Sequence, residues 1–178
     1  MIFKFRIFSD EVDDFLRTIT IDSEATFLAL NSAILESVNY PADQMTAFQL
    51  CDSAWEPEQE ITLMEMDSSS EYDNLVMDKI KLDELLTDEK QRLLFVFDMF
   101  NNRSFYMELA HIIPNKRQEK AECIKSSGKP PKQIVELDTK ISSYNDGLPE
   151  DFYGEDYDAE DLDNEGFGEM NFDDDSLF

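Results

Sequence analysis

Leu94-Phe95-Val96-Phe97-Asp98-Met99-Phe100-Asn101-Asn102-Arg103-Ser104-Phe105-Tyr106-Met107-Glu108-Leu109 is the stretch from which the rest of the chain is read. Two apolar, aromatic-rich runs flank Asn101-Asn102, the pattern of a β-hairpin at the centre of an antiparallel sheet. Asparagine tolerates positive φ better than any residue but glycine, so Asn-Asn predicts a tight primed turn. No nucleophile, metal-ligand pair or phosphate loop falls within the stretch. It decides a fold class, not a chemistry.

Working outward, the hairpin spans Arg92–Phe97 and Ser104–Ile112, with Pro114 closing it. The amino terminus repeats the alternation: Phe3, Phe5 and Ile7 fall on one face, Lys4 and Arg6 on the other. Phe15–Ile21 reads as a second strand paired with the first. Asp22-Ser23 predicts an N-cap with Glu24 in the first turn of a helix that runs to about Val38, where Pro41 stops it. Phe27, Leu30, Ile34 and Val38 form its core stripe at spacings of three and four. Met45–Cys51 reads as a third strand, Ile61–Met66 as a short one, and Asp83–Leu86 as a single helical turn. The expected architecture is α+β: an antiparallel sheet with one main N-terminal helix packed on it.

Charge limits the partners. Fifteen Lys and Arg against 41 Asp and Glu give a net charge of −26. Such a chain is repelled by nucleic-acid phosphates and by anionic lipid, and attracts a basic protein. No apolar run approaches the about 20 residues that span a bilayer, and the alternating start is unlike a signal-peptide core. A cytoplasmic location is expected. The two cysteines, Cys51 and Cys123, form no CxxC and are expected to be buried free thiols. His111, the single histidine, falls near a strand end and is read as structural. Lys116, Arg117 and Lys120, followed by Lys125, Lys129 and Lys132, make the one basic island, which could dock an anion but is read first as a solvated loop or an intramolecular partner for the acids that follow.

After Lys140 the composition changes. Residues 141–178 hold 14 acids and no Lys or Arg. The body is therefore assigned to residues 1–135, and residues 136–178 are expected to be a disordered acidic tail. Phe152, Tyr153, Tyr157, Phe167, Phe172 and Phe178 punctuate it, the composition of a segment that orders on a partner. Asp161-Leu162-Asp163-Asn164-Glu165-Gly166 imitates the first half of a calcium loop. The twelfth position, which should be a bidentate Glu, is Phe172, so no metal site is assigned.

Several motifs in the body resemble the Ri-plasmid ORF-three-like domain family, a prokaryotic group named after a plasmid open reading frame. Ile2–Ile7 looks like the family's first strand. Phe15-Leu16-Arg17-Thr18-Ile19 stands where the family has Ile-Trp-Arg-Arg-hydrophobe, with Arg17 kept. Thr26–Ile34 resembles its helix, with Leu30 and Ile34 in register. The hairpin aligns with Tyr-x-Tyr-Asp-Phe-Gly-Asp-x-Trp-x-His, where Phe95, Phe97, Asp98 and Met99 hold the first part. Cys123–Gly128 and Pro130-Pro131 resemble the closing Gly-x-Pro-Pro segment. The resemblance implies an α+β fold and names no activity. Positions commonly histidine in the family are Asn31, Gln44, Thr46 and Phe105 here, so imidazoles that could serve a polar or metal-assisted site are missing.

One histidine allows no Ser/His/Asp or Cys/His arrangement, and five glycines form no phosphate loop. Asp98 and Glu108 would lie near opposite ends of facing strands, too far apart for acid–base work. No catalytic residue and no cofactor are assigned. Two function classes remain. In one, a folded body presents an acidic, aromatic tail to a basic protein. In the other, the body binds a small ligand on the face carrying Arg17, Asp98 and Arg103, or is a degenerate enzyme, and the tail confers solubility. The substituted histidine positions favour the first.

Overall fold

The computed structural model describes residues 1–65 and 75–135. Its strands are β1 (Ile2–Phe8), β2 (Leu16–Asp22), β3 (Ala47–Cys51), β4 (Pro57–Thr62), β5 (Leu75–Val76), β6 (Arg92–Asp98), β7 (Arg103–Ile113) and β8 (Glu122–Ser127). They form one sheet in the order β5-β4-β3-β6-β7-β1-β2-β8. The helices are α1 (Phe27–Val38) and the single turn α2 (Leu82–Leu85). This is the expected α+β architecture with one main helix. The sheet is mixed rather than purely antiparallel, because β4 and β5 run parallel through Ile61↔Leu75 and Thr62↔Val76.

The hairpin takes the two central places. β6 pairs β7 from Arg92↔Glu108 to Asp98↔Arg103, with a register shift between Val96 and Asp98. The expected primed turn is not formed. Of the two asparagines only Asn102 is left-handed, at φ 51°. Asp98 explains this: its Oδ1 accepts from the Asn101 N–H at 3.2 Å and its Oδ2 from Asn101 Nδ2 at 2.7 Å. Those bonds close a four-residue connection, Met99–Asn102, in which one left-handed residue suffices.

The α1 N-cap is also displaced from the expected Asp22-Ser23. Asp22 accepts the Glu24 N–H at 3.0 Å, and Ser23–Ala25 make a local turn before the chain becomes extended at Thr26. Thr26 Oγ1 then accepts from Ala29 N at 3.3 Å, so Glu24 lies outside the first turn. Asn39, left-handed at φ 55°, ends the helix before Pro41 is reached. β3 starts at Ala47, not Met45. The short strand expected at Ile61–Met66 lies earlier, at Pro57–Thr62, where it pairs β3 across the Asp52–Glu56 turn.

β8 was not expected. All six of its residues are exposed, so no hydrophobic alternation marks it, and its pairing with β2 makes it a strand. Cys123 is accordingly exposed rather than buried, and Cys51 is half-buried; both are free thiols.

The core lies on the helix side of the sheet. Phe3, Phe5 and Ile7 of β1, Ile19 and Ile21 of β2, Phe95 and Phe97 of β6, and Phe105, Met107 and Leu109 of β7 meet Phe27, Leu30 and Ile34 of α1. Each such side chain contributes about 1.5–3 kcal/mol by leaving water. Leu82 and Leu86, in and beside α2, join the same cluster, so both helices use one face. No helix among the described residues is long and apolar enough to cross a membrane. The tail, its aromatic candidates Phe152, Tyr153, Tyr157, Phe167, Phe172 and Phe178, and the acidic loop at 161–172 lie outside the described residues.

Candidate functional site

Period-two alternation that turns Phe95, Phe105 and Met107 toward α1 turns Leu94, Ser104 and Tyr106 to the opposite face. Register sets Leu94 opposite Tyr106 and Gln49 opposite Leu94. These residues, with Pro57 and with Asp10, Glu11, Asn102 and Arg103 at one end, line an open concavity of about 540 Å3.

Tyr106 joins the concavity to an aromatic cluster. Its ring stacks on Phe8 at 5.7 Å between centroids and meets Trp55 edge-on at 5.0 Å. Phe8 and Trp55 are also edge-on, at 5.8 Å. Trp55 is held there by the β3–β4 turn: Asp52 Oδ1 accepts from Ala54 N and Glu56 N, and Trp55 is left-handed at φ 68°. A bulky aromatic seldom adopts that conformation, so the turn and the ring contacts together offset its strain. Arg92 covers the indole at 5.0 Å and donates to the Ser53 carbonyl.

At the other end Arg103 is a hub. It donates from Nε and Nη2 to the two Glu11 carboxylate oxygens at 2.9 and 2.8 Å, and from Nη1 to Asp98 Oδ2 at 3.4 Å. It also donates to the carbonyls of Lys132 and Gln133 at 2.7 and 3.1 Å, with its plane over Phe97. Burial acts to raise the Asp98 carboxyl, but the bonds from Asn101 and Arg103 outweigh it and hold the group below the usual carboxylate range. The Glu11 bonds raise Arg103. Tyr40 donates to the Pro131 carbonyl, and burial pushes its hydroxyl up. The segment from Pro130 to Gln133 is thus tied down by Arg103 and Tyr40.

Of the residues singled out from sequence, Asp98 and Arg103 meet at this hub. Phe97 supports them and Pro131 is bonded to Tyr40. Leu30 and Ile34 are fully buried core. Arg17 makes its contacts elsewhere. Nearly buried, it donates to the carbonyls of Ser37 at 3.1 Å, Leu16 at 3.0 Å, Ser127 at 2.6 Å and Gly128 at 3.2 Å, and lies over Phe15. It fastens the end of β8 to β2 and α1, a structural role. Asn31 and Thr46, two of the positions where the resemblance implies histidine, are brought together: Thr46 Oγ1 donates to Asn31 Oδ1 at 2.8 Å, both buried. His111 is exposed, 3.6 Å from Glu89.

Phe8, Glu11, Trp55 and Gln133 were not singled out from sequence. Alternation along the first strand and the hairpin could have placed Phe8 and Tyr106 on one face. Nothing local announces the Glu11–Arg103 pair. Gln133 is buried with Nε2 bonded to Pro41 and Oε1 without a partner among the described residues.

MM3350, a protein of unknown function from Methanosarcina mazei Go1, has a crystal structure similar to this fold, with a TM-score of 0.57 and 18% identity. The match covers 70% of this chain and 68% of that one, and at such identity it shows the fold alone. No curated protein matches the chain. The family model described as plasmid pRiA4b ORF-3-like protein matches residues 2–146, from the first strand past the last described residue. The chain belongs to the plasmid pRiA4b ORF-3-like protein family.

Proposed function

We propose that the protein is a non-enzymatic interaction module that engages a basic protein partner. The observation that carries the reading is its charge, −26, with 14 acids and no Lys or Arg over residues 141–178. Carboxylates spaced along a chain present a basic surface with the electrostatic features of a phosphate backbone. Phe152, Tyr153, Tyr157, Phe167, Phe172 and Phe178 supply the apolar contacts that turn attraction into recognition. The body supports the same preference. Asp10 lines the concavity with no ion-pair partner among the described residues, and Tyr106 adds an aromatic ring. A concavity lined by both a carboxylate and an aromatic ring suits a Lys or Arg side chain. The polar groups of the hub, by contrast, are consumed in holding the chain together.

The test is affinity capture from native lysate with the full chain, against a full chain in which Asp156, Asp158, Glu160, Asp161 and Asp163 are changed to their amides. A basic protein retained at low salt, released at high salt and lost by the neutralised chain is the expected result. Retention by both chains alike, unaffected by salt, sinks the reading.

The concavity itself favours a second reading, a small-ligand-binding body. A ligand there touches Tyr106, which contacts the protein's single tryptophan, Trp55. A shift in Trp55 emission on adding a small molecule, with no protein captured in the lysate experiment, would establish it in place of the first.

A further inference from the structure

We propose that the outer edge of β8 is a docking site for an extended acidic peptide, which adds to the sheet as a further antiparallel strand. The inference goes beyond the function proposed above and does not depend on it.

The sheet has two edges. β5 is two residues long, whereas β8 offers six, Glu122–Ser127, with no proline. β8 pairs only β2 among the described residues. Its alternate residues therefore direct N–H and C=O groups away from the sheet, as a template for a further strand. Every β8 residue is exposed, and Ile124 is 52% exposed. That gives an added strand an apolar contact besides its backbone bonds.

The edge is preformed. At its start Gln118 donates from its backbone N–H to Asp22 Oδ2 at 3.2 Å and from Nε2 to the Thr20 carbonyl at 3.2 Å. At its end Arg17 holds the carbonyls of Ser127 and Gly128. Gly128 lies at φ +68°, so close to Asp14 that a Cβ would meet that carbonyl oxygen at 2.4 Å. A strand fixed at both ends loses little conformational freedom when another joins it.

Charge selects the occupant. In a chain of net charge −26, the basic residues Lys116, Arg117, Lys120, Lys125, Lys129 and Lys132 flank or lie in β8, all exposed. Glu119 and Glu122 are the acids within this stretch, and Glu24 pairs Arg117 at 3.4 Å. An antiparallel second copy of this edge would set one basic flank against the other and be repelled. An acidic strand is attracted by Lys125 within β8 and by the basic residues on either side of it. The lysine and the bulge between Thr18 and Ile19 of the β2 pairing are devices that guard edges against self-pairing. Here they leave the edge open to one charge class.

The experiment uses the full chain, under reducing conditions, with a labelled Ac-Glu-Val-Glu-Val-Glu-Val-Glu-NH2 peptide as probe. The same peptide N-methylated throughout keeps its charge and loses every backbone donor. Binding is read by anisotropy and by amide exchange. The expected result is slowed exchange at residues 122–127 with the unmodified peptide, and binding about tenfold weaker or worse for the methylated one. Lys125→Glu with Lys129→Glu, both at exposed positions, is expected to weaken binding to a similar extent while thermal unfolding stays unchanged. Equal binding of the methylated peptide overturns the proposal in favour of charge attraction alone. No binding, or protection away from β8, overturns it too. So does concentration-dependent protection of β8 without peptide, which would assign the edge to a second copy.

Discussion

Arg103 and Glu11, 92 positions apart, hold each other through two parallel bonds of 2.9 and 2.8 Å. The Arg103 side chain is 13% exposed and that of Glu11 34%, so the guanidinium is largely withdrawn from water while its carboxylate partner stays at the surface. The same guanidinium holds two carbonyls of the closing segment. Arg103→Leu should destabilise the protein by about 3 kcal/mol, because it leaves Glu11 and those carbonyls without their Arg103 donor and Asp98 with its Asn101 bonds alone. Arg103→Lys keeps the charge but not the fork and should recover less than half of the loss. Urea unfolding checks both; an unmoved midpoint for Leu would remove the hub from the stability argument.

Asp98 makes this hub sensitive to acid. Its carboxyl is held below the value of 3.8 expected of an unfolded chain. A depressed carboxylate contributes stability at pH above the unfolded value and loses it as pH falls through the folded one. Stability should therefore fall as the pH drops below about 4. Asp98→Asn should be less stable at neutral pH and show a shallower acid limb. Parallel limbs in the two proteins, from thermal unfolding at stepped pH, would show that Asp98 is not the group responsible.

The Thr46–Asn31 bond joins β3's approach to α1 inside the core. Thr46→Val removes the donor and leaves a buried amide oxygen short of a partner, at a cost of about 1–3 kcal/mol. Adding Asn31→Leu to that variant should restore part of the loss, since two apolar groups need no bond. A double-mutant cycle in urea measures the coupling, and strict additivity would show that the bond contributes nothing.

Gly128→Ala should cost more than about 1 kcal/mol, because the left-handed backbone and the Asp14 carbonyl both oppose a Cβ. Amide exchange should rise first in β8, whose end this glycine fixes. Exchange that rises uniformly through the sheet would mean that β8 and the core open as one unit.

The central hairpin, the first strand pair, the helix stripe and the period-two core were legible in the sequence, because each is written in neighbouring residues. Phe27, Leu30, Ile34 and Val38 needed no long-range knowledge to be placed inside. Where reading failed, a distant or competing bond decided. Asp22 has the composition of an N-cap, but a local turn to Glu24 and a bond from Gln118 occupy its carboxylate. Asn101 could have taken positive φ, and Asp98 made that unnecessary. β8 carries no hydrophobic period because neither of its faces is buried, so only its partner reveals it. At the concavity, Tyr106 was visible as a strand residue, whereas the approach of Trp55 and Glu11 depends on loops whose geometry no local pattern encodes.

The position of β1 has a consequence for how the chain is made. It lies between β2, its immediate successor, and β7, whose residues Tyr106–Ile113 close over it from the far side of the sequence. A ribosome delivers β1 first, but one edge of that strand stays unpaired until about residue 113 has emerged. β3 likewise waits for β6. Long-range pairing of this kind is slow to form and gives a nascent chain time with an open, aromatic strand edge. Assembly of the sheet is thus a late, nearly single event in synthesis, and truncations that stop before β7 should emerge as aggregates rather than as smaller folded pieces.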